Sequence, residues 1–338
     1  MRSLIVSALS ILAVGFTQAQ GLEDAGPINS PSPSVIDGIV LKEHVPTKRM
    51  IPYEYVREAD VMWSRRVWQT IDLREKINHS LLLPYDEILP SGEWVRHGER
   101  WSLWTVIRQN IRNGKLTVYS PYNPNNQFGE WDGDQLKYPV LPQDGLNYYT
   151  DSVYRENILY FLGRLGAQSD IPLTDDFGDP IIITDSEGNQ SYKYPPADTI
   201  WYTSKDIIQY RIKEEWFFDK ERSVLDQRIL ALAPVVYDKD VDANGVESIS
   251  KAKELFWLYF PQCRLVFNNY FAYNDKNDAQ WMSFDDLFWK RRFNSFVYKA
   301  SNNFDRKIET YRAGVDALYE SNKVKEDIRT FEHDLWEF

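Results

Sequence analysis

Cysteine is almost missing from this chain: Cys263 is the only one in 338 residues. One thiol excludes a disulfide framework within the chain and any metal site built on several cysteines. It follows an aromatic run, LFWLYFPQCR, which predicts a buried apolar side chain. Histidine is nearly as scarce. His44, His79, His97 and His333 are scattered, with no HExxH or similar pairing. His97 lies among acidic neighbours (Glu93, Glu99), an arrangement common in loops. GxSxG, GxGxxG and a phosphate-binding loop are all lacking. Carboxylate pairs such as Asp175-Asp176 and Glu214-Glu215 are too frequent in an acidic chain to nominate a hydrolase, and Glu214 and Glu215 alternate across a predicted strand. Basic charge is also in deficit. Thirty-nine Lys and Arg against 50 Asp and Glu leave a formal charge of -11, which argues against nucleic acid or anionic lipid as the main ligand.

Long apolar runs are lacking beyond the first residues. Arg2, the apolar stretch Leu4 to Phe16 and the small-residue site Thr17-Gln18-Ala19 form a signal peptide over 1–19. That stretch is short of the roughly 20 residues needed to cross a bilayer. No Cys follows it, so the expected product is exported, without its own lipid anchor and not inserted in the membrane. Cleavage leaves about 319 residues, enough for one large domain or two ordinary ones.

One stretch carries the start of a cation-binding motif. Asp240-Val241-Asp242-Ala243-Asn244-Gly245 places oxygen ligands at positions 1, 3 and 5 of a calcium loop, with Gly at 6. Position 12 requires a bidentate Glu and holds Lys251, so Asp240, Asp242 and Asn244 are rejected as metal ligands in favour of a turn. No cofactor is expected.

What the chain does have is aromatic residues: 15% of the total, with 12 Trp. Residues 20–40, rich in Pro, Ser and Gly, read as a flexible arm. Helical spacing of Val56, Trp63, Val67 and Ile71 predicts a helix from Tyr53 to Asn78, and a second fits Trp101 to Arg112. Leu116 to Tyr119 reads as a strand, Pro121 to Gly145 as a long loop, and Tyr154 to Leu162 as a helix stopped by Gly163. Ile181 to Thr184 and Gln190 to Tyr194 read as a hairpin. Alternation predicts a strand over Ile208 to Phe218 with one wet face of Gln209, Arg211, Lys213 and Glu215. Val224 to Val236 and Leu255 to Phe260 read as central strands, connected by Asp238 to Ser250.

Ser283 to Arg306 predicts a long helix with two apolar stripes. Trp289, Phe293, Phe296, Val297 and Ala300 lie on one side, and Phe284, Leu287, Phe288 and Tyr298 roughly opposite. Two stripes require cover on both sides, by the chain's own core or by a partner. Phe284, Phe288, Trp289, Phe293 and Phe296 are therefore the candidate partner-binding residues. From Asp305 onward Ile308, Tyr311, Val315 and Leu318, then Val324, Ile328, Phe331 and Leu335, form a heptad-like seam broken near Asn322.

The class is α+β: an antiparallel sheet in the C-terminal half with packed helices, a helical N-terminal region and a long C-terminal helix. The expected divisions are the signal peptide 1–19, the arm 20–40, a domain 41–304 (divisible at 165/166) and a helical tail 305–338.

Trp63 to Asn78 (WSRRVWQTIDLREKIN), Ile212 to Val235, Leu255 to Arg264 and Phe284 to Arg306 together resemble the GldN/PorN family of gliding-motility and type IX secretion proteins. The likeness runs in order from about residue 40 to 310, leaving the arm and tail outside it. The resemblance implies a periplasmic, non-enzymatic subunit. It would form a ring with neighbouring copies and a GldK/PorK-like outer-membrane lipoprotein, and would contact a GldM/PorM-like motor subunit. It also marks Asp151-Ser152-Val153 and Asp198-Thr199-Ile200 as matches to a short O-glycosylation signal. The alternative, from aromatic content alone, is a periplasmic carbohydrate-binding or glycan-processing protein.

Overall fold

The computed structural model describes residues 50–334, apart from 90–93, 96, 98–99, 125–130, 147, 167–170, 175–179, 185–189, 196–198, 242–246, 275 and 278–281. The chain divides into two units: Met1–Leu141 with Thr203–Phe338, and Pro142–Tyr202.

In chain order the larger unit opens with β1 (Val61–Asp72), α1 (His79–Leu82), β2 (Glu87–Ile88), β3 (Trp94–Val95), α2 (Leu103–Arg112), β4 (Val118–Ser120) and β5 (Tyr138–Val140). The smaller unit holds α3 (Ser152–Leu162), β6 (Gly163–Leu165), β7 (Ile182–Thr184), β8 (Gln190–Tyr192) and β9 (Thr199–Trp201). The larger unit resumes with β10 (Ile207–Asp219), β11 (Val224–Val241), β12 (Glu247–Glu254), β13 (Trp257–Tyr259), α4 (Phe260–Phe267), β14 (Phe271–Ala272) and β15 (Met282–Ser283). It closes with α5 (Phe284–Trp289), β16 (Phe296–Ala300) and α6 (Val315–Asp334). Among the described residues no helix is long and apolar enough to cross a membrane.

The class is α+β, with an antiparallel sheet in the order β16-β1-β10-β11-β13-β4-β5 and β12 added beside β11. The sheet also recruits β1, β4 and β5 from the N-terminal half. The helix expected from Tyr53 to Asn78 is instead β1, paired with β10 along its whole length, Val61 facing Asp219 and Asp72 facing Gln209. The misreading has a geometric cause. Trp63, Val67 and Ile71 step by four, which keeps one face of a helix and equally one face of a strand. By contrast α2 forms where expected. Ser102 caps it, accepting the Thr105 N–H at 3.2 Å, and its apolar side (Trp104, Ile107, Ile111) is fully buried.

β10 has no wet face. Lys213 and Glu214, on either side of a bulge, are both buried. Lys213 meets Asp134 at 3.4 Å, so the loop expected between Pro121 and Gly145 carries β5 and folds a carboxylate onto the sheet. Arg211 pairs with Glu254. The stretch expected to connect two strands past Asp238 is a hairpin, β12 returning directly along β11 with Glu247 opposite Val241.

The 24-residue helix expected from Ser283 is two elements. A capping box starts α5: Ser283 Oγ accepts the Asp286 N–H at 3.1 Å, and the Asp286 carboxylate accepts the Ser283 N–H at 3.3 Å. Six residues later a Schellman turn ends it. Arg292 N–H donates to Leu287 O at 3.0 Å and Arg291 N–H to Phe288 O at 3.1 Å, with Arg291 left-handed at φ 49°. The Arg291 guanidinium is fixed by Glu214 at 2.8 and 3.0 Å, so a buried carboxylate holds this turn. The chain then runs as the edge strand β16.

In the smaller unit, Asp151 caps α3 by accepting the N–H groups of Val153 and Tyr154, both at 3.0 Å. These bonds and one from the Gln143 N–H, the largest cause, hold its carboxyl below the usual range. Gly163 ends the helix, and a Cβ there would lie 2.9 Å from Ile200 O on β9. β7 and β8 pair as the expected hairpin.

A candidate interaction surface

The residues expected to meet a partner separate into core and surface. Phe284 and Phe288 are buried in a ring cluster, Phe288 lying 5.3 Å from Phe260, 6.0 Å from Phe267 and 5.6 Å from Phe293. Phe293 is buried as well, and Phe296 is half-buried. Only Trp289 of the five is well exposed, at 45%. It stacks over the guanidinium of Arg264 at 4.8 Å, with Tyr53 on the other contact at 4.4 Å. Arg264 is buried, is held by Asp285 at 2.8 and 3.2 Å, and donates to Ile51 O at 2.7 Å. Burial pushes the Tyr53 phenol up to about 12, against the opposing pull of Arg264. Tyr53, Trp289 and Ile51 therefore form a surface cluster assembled around one charge-balanced arginine. The cleft beside it, about 220 Å³, is smaller than ordinary ligand pockets.

A second exposed apolar surface is on α6. At about 100° per residue, Ala317, Ser321, Val324, Ile328 and Phe331 share one side. Val324 and Ile328 are buried against Val67, Val297, Ala300 and Ile308, and Phe331 stacks on Trp63 at 4.5 Å. Val315, Leu318 and Tyr319 lie roughly opposite and are 65%, 52% and 69% exposed. The seam read from the sequence thus joins two faces. α6 is continuous through Asn322, and the apparent break marks the change from the outer stripe to the docked one. Leu335 lies outside the described residues.

Next to the outer stripe, Phe296, Tyr298, Ile308, Ala313, Ala317 and Leu318 bound a groove of about 370 Å³. Phe304 and Tyr311 project nearby, 75% and 38% exposed. Another cleft, about 420 Å³, runs under the C-terminal half of α6 among Val67, Trp216, Leu225, Phe293 and Ile328, with Lys325, Arg329 and Glu332 at its rim.

Among the described residues no three His, Cys, Asp or Glu side chains gather as a metal ion would need. Asp240 lies in β11, while Asp242 and Asn244 fall outside the described residues. His97 bonds the backbone oxygen of Tyr85 at 2.9 Å. Cys263 is buried, and burial pushes its thiol well up, away from the reactive thiolate. Trp68, Trp101, Trp104 and Trp257 are buried, so much of the aromatic content builds core rather than a sugar-binding platform.

Against known families, the model of the gliding motility associated protein GldN matches residues 56–337. The chain belongs to the GldN family. No curated protein matches it. The family match takes in all of α6, so the tail that the sequence likeness left out is part of the family's shared extent. The chain is a gliding-motility-associated component.

Proposed function

We propose that this chain is a non-catalytic structural subunit of the type IX secretion and gliding machinery. It acts in the periplasm, in a ring built with neighbouring copies and a GldK/PorK-like outer-membrane lipoprotein. That lipoprotein holds it at the outer membrane, and the ring couples to a GldM/PorM-like motor subunit. The observation that carries the reading is the outer stripe of α6, apolar side chains left in water on a helix inside the family's matched extent. Large exposed apolar patches of this kind mark interaction sites. Ring closure joins two different patches on each protomer. The Tyr53–Trp289 cluster is a second one, on different elements from α6.

The test is in cells. A strain lacking the chain should lose gliding and secretion of type IX cargo. Restoration by the native gene but not by one carrying Leu318→Asp, at equal protein level, supports the reading. Normal gliding and secretion without the chain would refute it.

A further inference from the structure

We infer that the N-terminal half of α6 and the groove beside it receive an acidic amphipathic helix from a partner protein. The inference rests on the reading of α6 as an assembly surface and adds the chemistry of what binds there. The shape calls for a projecting apolar side chain. Leu318 belongs both to the exposed stripe and to the wall of the 370 Å³ groove, so one partner residue could seat in the groove while its neighbours cover Val315 and Tyr319.

An extended partner segment fits less well. It would have to add to the outer edge of β16, and there the Val297 N–H already donates to Ser321 Oγ of α6 at 2.7 Å. What is offered instead is a ridge at positions i, i+3 and i+4 beside a groove, the geometry that another helix packs into.

The charge calls for acid. Arg306 is held against the rings of Phe304 and Tyr311 at 4.8 and 4.7 Å. Lys307 lies over Trp131 at 5.6 Å and Tyr298 at 5.9 Å, and Arg312 lines the groove. None of these three cations has a carboxylate within ion-pair distance among the described residues, and Asp305 is already taken by Lys299 at 2.7 Å. From Arg306 to Val324 the acids are Glu309, Asp316 and Glu320 and the cations Arg306, Lys307, Arg312 and Lys323, leaving the stretch one positive charge in excess on a chain of net charge -11. Aromatic rings hold two of the cations in place, so carboxylates arriving on a helix would meet prearranged donors.

The experiment uses the full mature chain and two labelled, stapled helices of about four turns with the same leucine stripe. One carries Glu at its polar positions, the other Lys. Fluorescence anisotropy should show the Glu helix binding at least about 10-fold tighter than the Lys helix. Leu318→Asp should abolish binding. Arg306→Glu combined with Lys307→Glu, at exposed or half-exposed positions, should reverse the preference without moving the melting midpoint. Equal binding of the two helices, or binding of neither, would overturn the inference. So would Leu318-dependent sedimentation with phosphatidylethanolamine–phosphatidylglycerol vesicles and no helix preference, which would assign the surface to lipid. If Leu318→Asp blocks assembly while neither helix is preferred, the assembly surface stands and the acidic helix is wrong. A Glu preference in a chain whose assembly ignores Leu318 would support the acidic site and count against the assembly reading alone.

Discussion

Ser321 Oγ accepts the backbone N–H of Val297 at 2.7 Å, and both residues are buried. The bond joins α6 to β16, the edge strand of the main sheet. An open strand edge is a template for unwanted pairing, and covering it with a helix is one of the ways a fold closes it. The same bond fixes which side of α6 faces the sheet, and so which side is left exposed.

Ser321→Ala should therefore cost about 1–3 kcal/mol, because it leaves a buried N–H without an acceptor. Ser321→Thr keeps the oxygen and should recover part of that loss. Urea denaturation of the three chains checks it, and an unchanged midpoint for the alanine variant would remove the edge-closing role.

Glu214 is fully buried and bonded both to Arg291 and, at 2.7 Å, to Gln69. Arg291→Met should destabilise by about 3–5 kcal/mol, since it strands a buried carboxylate. Glu214→Met with Arg291→Met should be markedly more stable than Arg291→Met alone. A double-mutant cycle by chemical denaturation reads the coupling directly.

Phe288→Ala and Trp289→Ala, neighbours in sequence, should behave differently. Phe288 is enclosed by three other rings, and its loss should cost about 3–5 kcal/mol. Trp289→Ala uncovers one side of the Arg264 guanidinium but leaves its bonds to Asp285 intact, so the fold should persist with a smaller loss. Thermal melts followed by circular dichroism separate the two.

Alkaline pH should destabilise the protein. Burial raises the phenols of Tyr53, to about 12, and of Tyr210 and Tyr298 well above the ordinary 10. Between pH 10 and the folded-state values, unfolded tyrosines lose protons that the folded ones retain. The sign follows: their contribution is fully present below about pH 10 and declines as pH rises through that window. Denaturation at a series of pH values from 8 to 11.5 should be flat in this respect up to about 10 and then fall. A rise across that window would contradict the burial assigned to these residues.

Much of the fold was legible in the sequence, and what was not has local causes. Strands β10 and β11 could be read because their apolar residues alternate or run continuously, and α2 because Trp104, Ile107 and Ile111 repeat with helical spacing. β1 was obscured by steps of four, which both periods satisfy. The long helix at Ser283 failed at Arg291, where a left-handed residue is stabilised by Glu214, 77 positions earlier. No local pattern carries that information. The exposed stripe of α6 was partly visible: Val315 and Leu318 stood in the seam, and the shift near Asn322 was the trace of a second face. Ser321 gave no signal, because its role depends on an edge strand placed there by the fold.

The most direct test of the central claim is the mass, by light scattering, of the mature chain mixed with the GldK/PorK-like lipoprotein, native beside Leu318→Asp. The substitution is at an exposed position, and stability should hold within about 0.5 kcal/mol. A large, defined assembly with the native chain and a folded, unassembled Leu318→Asp chain is the expected result. The same assembly from both chains, or none from the native one, would contradict the assignment of α6 as the surface through which this protein works.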